Sequence, residues 1–164
     1  MAVASGETGF RFLYRQGEGV IGRAAWARAS MAPVGIALAL TAVALLIAPD
    51  KPRDLANQDF ADIGIVATHV YFLVYAFALI LCAVAEYFVS AKRFADRDMP
   101  TALAGIAPFA VFVAGAANWY QPRSEGDAPA WIAWAFDLIA LAAVGWTIYE
   151  LGVADKASAQ ASDT

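Results

Sequence analysis

Four long stretches of this chain carry almost no charge, and that absence decides what it can fold into. Met31–Ala48, Ile63–Ala85, Ala102–Tyr120 and Ala128–Tyr149 make up half of the 164 residues. Of the 11 Lys and Arg and 15 Asp and Glu residues, they hold one, Asp137. A helix rising 1.5 Å per residue crosses a hydrocarbon core of about 30 Å in about 20 residues, and each stretch fits that length. A helix in a water-soluble bundle keeps a polar stripe on its outward side, whereas Gly35–Ala48 has only Thr41 all the way round. The runs are about twice as long as the 9–11 residues of a membrane strand and do not alternate polar with apolar residues. Composition agrees: 61% hydrophobic and 16% charged, against about 45–50% and about 25% in soluble domains. The expectation is an all-α, polytopic integral membrane protein with four transmembrane helices.

The ends of the runs fit a bilayer. Trp26, Tyr87, Trp119, Tyr120, Trp131, Trp134, Trp146 and Tyr149 lie near the boundaries, where amphipathic rings favour the headgroup level. Ser30 is placed to cap the first helix, Pro33 falls in its first turn, and Pro49-Asp50-Lys51-Pro52 stops it. The chain thus divides into an N-terminal segment, 1–30, a transmembrane domain, 31–151, with spans at 31–48, 63–88, 101–120 and 129–150, and a disordered tail, 152–164.

Counting Lys and Arg gives the orientation. Arg11, Arg15, Arg23, Arg28, Lys92, Arg93, Arg97 and Lys156 lie on one side, and Lys51, Arg53 and Arg123 on the other. The positive-inside rule then places both termini in the cytoplasm and the chain in the inner (plasma) membrane. The 30-residue leader and the long first run exceed a cleaved signal peptide, whose apolar region is about 7–15 residues. Cys82 lies within the second span and position 2 is Ala, so no lipid-attachment pattern occurs.

Phe10, Leu13, Tyr14, Ile21 and Ala25 recur at roughly helical spacing, with Arg11, Arg15 and Glu18 between them. That predicts a short amphipathic interfacial helix before the first span, broken near Gly17. Gly17-Glu18-Gly19-Val20-Ile21-Gly22 has the form G-x-G-x-x-G. The dinucleotide motif needs a preceding strand and an acidic residue about 20 positions on; a membrane helix follows instead, and the match is fortuitous.

Ionisable groups within a bilayer mark the protein interior by default. Asp137 lies about 13 Å into the fourth span and His69 about 9 Å into the second, both counted from the outer end. The two side chains therefore fall at similar depth. If their helices are neighbours they form a carboxylate–imidazole pair, joined by Tyr71, Tyr75 and Asn118; otherwise they are polar glue between helices. Glu86 and Glu150 stand at the inner ends of their spans, suited to snorkelling or to pairing with Lys92, Arg93 or Arg97. Ala107, Ala110, Ala114 and Ala117 make a small-residue stripe for close helix packing, and Pro108 is expected to kink the third span.

A net charge of -4 and a pI near 4.8 give no basis for nucleic-acid binding. One cysteine and one histidine leave no multi-cysteine metal site and no bis-histidine haem. No span contains a lysine for a retinal Schiff base, no nucleophile–base set or phosphate loop can be assembled, and no cofactor is expected. The bilayer is the first partner, with a membrane-protein partner or a homo-oligomer as the second. Two functions remain: a small non-catalytic membrane subunit that packs against partner helices, or an oligomeric channel or proton-coupled transporter using Asp137 and His69.

Overall fold

A computed structural model describes residues 9–47, 63–124 and 127–154; of these, 87% are helical and none is in a strand. The helices are α1 (Phe10–Arg15), α2 (Arg23–Ile47), α3 (Ile63–Asp96), α4 (Ile106–Tyr120) and α5 (Ala130–Ile148). A 3-10 helix, Thr101–Gly105, leads into α4; another, Gln121–Arg123, follows it; and α5 continues as a π-helical turn, Tyr149–Val153. Helices α2 and α3, α4 with its leading turn and α5 with its trailing one are long and apolar enough to cross a membrane. The chain is an all-α, four-helix membrane protein. The stop at Pro49–Pro52 and the tail from 155 onward lie outside the described residues.

Charge marks the edge of lipid, not the edge of a helix, and the boundaries move accordingly. Helix α2 starts at Arg23, eight residues before the uncharged run, because Arg23–Ala29 is itself rich in good helix formers. Ser30 is therefore an interior residue and caps nothing, and Pro33 sits inside the helix. An interior proline removes the amide that would bond the carbonyl four residues back. That carbonyl belongs to Ala29, and the Tyr14 hydroxyl donates to it at 2.8 Å. The side chain of α1 thus fills the gap in the α2 ladder.

Helix α3 is 34 residues long, about 51 Å, so about four turns stand beyond a core of about 30 Å. It ends in a Schellman arrangement: the Met99 amide donates to the Phe94 carbonyl and the Asp98 amide to Ala95. Asp98 takes the left-handed position, φ 58°, which a short polar side chain tolerates better than most. Pro108 is the third residue of α4, where the amide lacks an intrahelical partner, and the span passes from 3-10 to α-helix just before it, at Gly105–Ile106.

Helix α2 packs along α3 and α4 along α5, giving two hairpins. They are joined mainly at the end where the described chain begins and finishes, through Thr101–Gly105 and the π-turn, while α1 packs on α3. Ile21, Trp26, Val89, Phe94, Ala104 and Leu151 are buried there, and Phe94 stacks on Trp146 with centroids 5.9 Å apart. Elsewhere the chain buries little of itself: between 6% and 17% of the most apolar window of each span.

Helix α1 is shorter than the spacing of its apolar residues suggested. Phe12, Leu13 and Tyr14 pack on the core, while Phe10 points away, 72% exposed. With fewer than two turns, what α3 offers fixes the inward face, not a 3.6-residue period. Gly19 has φ +111° and its position would bring a Cβ to 2.7 Å from the Phe12 ring, so the glycine segment is a close-fitting loop over Phe12. No strand precedes it among the described residues.

Candidate functional site

Polar side chains collect in two places. The first is the termini end, where α2 and α3 each present residues one turn apart on facing sides. Ser30 Oγ and Ser90 Oγ both donate to Glu86 Oε1 at 2.9 Å, and Trp26 Nε1 donates to Ser90 Oγ at 3.2 Å. Glu86 Oε2 is buried and has no hydrogen-bond partner among the described residues. Burial, and then the Glu86 carboxylate, raises the Tyr14 phenol above its ordinary range. The hydroxyl therefore stays protonated as the donor to Ala29.

The last turns of α3 supply three cations, all directed at helix ends. Lys92, fully buried, donates from Nζ to the carbonyls of Leu13 at 3.3 Å, Phe88 at 3.2 Å and Gln16. It also lies over the rings of Phe12 and Phe88, 5.3 and 5.8 Å from their centroids. Arg93 Nε donates to the Leu151 carbonyl at 3.1 Å, and its guanidinium pairs with Asp96. Arg97 bonds the Glu150 carbonyl and pairs with Glu150 Oε1 at 2.7 Å. Carbonyls at the C-terminal ends of α1 and α5 lack intrahelical donors and sit at the negative pole of the helix dipole; α3 supplies both donors and charge. Of the two glutamates noted in the sequence, Glu150 has a basic partner, and Glu86 is held by serine hydroxyls.

The second place is in the opposite half of the α4–α5 hairpin. Asn118 Nδ2 donates to Asp137 Oδ1 at 2.7 Å and to the Ala114 carbonyl at 3.0 Å. Asp137 and Asn118 are exposed side chains of the chain as it stands. Asp137 lies one turn deeper than Trp134, itself 67% exposed. A carboxylate at the centre of a bilayer costs about 2.5–3.5 kcal/mol on insertion scales, and one hydrogen bond from Asn118 offsets part of such a penalty.

The residues singled out from sequence do not form one constellation. His69 is exposed on α3, in the other hairpin, and the hydrogen bond to Asp137 comes from Asn118. Tyr71 donates to the Leu40 carbonyl at 2.6 Å, the Tyr75 hydroxyl lies 3.0 Å from Thr41 Oγ1, and the two rings stack 6.1 Å apart. Both tyrosines therefore tie α3 to α2. Ala114 is buried, and Ala107, Ala110 and Ala117 are half-buried. Among the described residues no group of three His, Cys, Asp or Glu side chains could hold a metal ion.

Sequence reasoning gave Tyr14, Trp26 and Ser30 other roles and missed Ser90. Their signal was present: Trp26 with Ser30 and Glu86 with Ser90 are both four residues apart, and so share helix faces. No family model matches the chain, and no curated protein or solved structure matches it.

Proposed function

We propose that the chain is a small non-catalytic subunit or accessory protein of an inner-membrane complex, with both termini in the cytoplasm and its hairpins packed against partner helices. The observation that carries this reading is the low self-burial of the spans, 6% to 17% of each apolar window. With the hairpins joined mainly at one end, most helix surface remains available to other helices, which associate in lipid through close packing and interhelical hydrogen bonds. Exposed arginines at the termini end, Arg11, Arg15, Arg23 and Arg28, support the orientation by the positive-inside rule.

Extraction of the full chain in a mild detergent, followed by mass measurement of the intact particle, tests the reading. The expected result is a fixed stoichiometry with at least one other integral membrane polypeptide. A particle containing this chain alone, which conducts ions or protons in liposomes and loses that flux with Asp137→Asn, would overturn it and favour the channel reading.

A further inference from the structure

The Asp137–Asn118 pair has a definite hydrogen-bonding balance. A primary amide has two N–H donors and a carbonyl acceptor; a carboxylate has only acceptors. Asn118 directs its amide nitrogen to Ala114 and Asp137, within its own hairpin. What the pair presents outward is therefore acceptors alone, Asn118 Oδ1 and Asp137 Oδ2, to which no other described group bonds. Both side chains are exposed on a face otherwise made of apolar residues, with Trp134 and Leu141, one turn either side of Asp137, 67% and 69% exposed.

We infer that this face seats a transmembrane helix of a different membrane protein, one carrying a lysine or arginine at the depth of Asp137. The inference rests on the subunit reading and adds the chemistry of the partner. A basic side chain supplies what the site lacks, donors and positive charge, and intramembrane ionisable groups characteristically pair with one another. A second copy does not complement it: two-fold association through this face would set the same acceptors against each other. Lipid tails supply no donor at all.

The test uses the full chain in phosphatidylcholine vesicles, with synthetic polyleucine helices about 20 residues long as probes: one with a single lysine level with Asp137, one all leucine, one with glutamate. Energy transfer between labelled chain and labelled peptide reads association. The lysine peptide should bind at least tenfold more tightly than the leucine peptide and the glutamate peptide no better than it. Asp137→Asn, which keeps the size and polarity of the side chain, should abolish the preference. Equal binding of the lysine and leucine peptides, or a preference that survives Asp137→Asn, overturns the inference. So does self-association of the wild-type chain that Asp137→Asn disrupts. In native membranes, a natural partner that stays bound to the Asp137→Leu chain sinks this inference and leaves the subunit reading standing. A wild-type chain with no partner, yet with the lysine preference intact, sinks the subunit reading alone.

Discussion

The two ends of the molecule are built on opposite terms. At the termini end, buried donors meet carbonyls and carboxylates of distant segments: Lys92 reaches α1, Arg93 and Arg97 reach the end of α5, and Ser30 reaches Glu86. In the opposite half, the described segments meet chiefly as hairpin neighbours, and the main polar pair, Asn118 with Asp137, is exposed. Buried charge-assisted hydrogen bonds are directional, and losing one partner leaves the other unsatisfied. Apolar helix faces in lipid carry no such penalty, because lipid tails solvate them as well as another helix does. The contrast separates a region that fixes the chain's own fold from a region open to assembly.

The largest effect expected at the closed end is that of Lys92→Met. It keeps the length of the side chain but strips three carbonyls of their shared donor, and should cost about 3 kcal/mol. Denaturant titration in micelles checks this, with α1 becoming open to protease between Arg15 and Arg23. If stability stays unchanged, the closed end is not held by its cations. Ala114→Leu, at a buried site of α4 one turn from Asn118, should cost about 2 kcal/mol by overpacking and loosen the α4–α5 hairpin. Amide exchange confined to those two helices would sharpen the comparison; exchange spreading into α2 and α3 would break it.

Tyr14→Phe leaves the Ala29 carbonyl without a donor, for about 1–2 kcal/mol. The phenol also sets a pH limit. Its folded-state titration is raised, so its contribution is complete below the ordinary tyrosine range and is lost as pH rises through the folded value. The wild type should therefore lose α1 docking at strongly alkaline pH, and the Phe variant should lack that step in hydrogen exchange. The smallest effect belongs to Asp137→Leu, within about 0.5 kcal/mol of wild type in micelles, because loss of the Asn118 bond is offset by removal of a carboxylate from an apolar surrounding. A large loss there would mean that the open half also governs folding.

The spans were legible in the residues because the cost of charge in hydrocarbon writes itself as missing charge. The ends were not, and for one reason: Arg23–Ser30 and Glu86–Asp96 are polar enough to leave the bilayer yet remain helical once they have each other to bind. Ser30 reads as a cap until Glu86 is opposite it, and Pro33 reads as a helix start until Tyr14 satisfies Ala29. Lys92, Arg93 and Arg97 counted toward topology as though they faced headgroups, whereas they point inward at carbonyls. At the candidate site, Asp137 and Asn118 were both visible as intramembrane polar residues. Pairing them required knowing that α4 and α5 form one hairpin, which a helical period does not encode.

The bond from Lys92 to α1 has a consequence for biogenesis. Residues 9–16 leave the ribosome before the four described spans, yet the cation that anchors them is at the far end of α3, some seventy-five positions later. Until that cation arrives, the carbonyls of Leu13 and Gln16 depend on water, so the N-terminal segment waits at the bilayer surface. A segment made before α3 thus settles after it, and its docking reports that the first hairpin is complete.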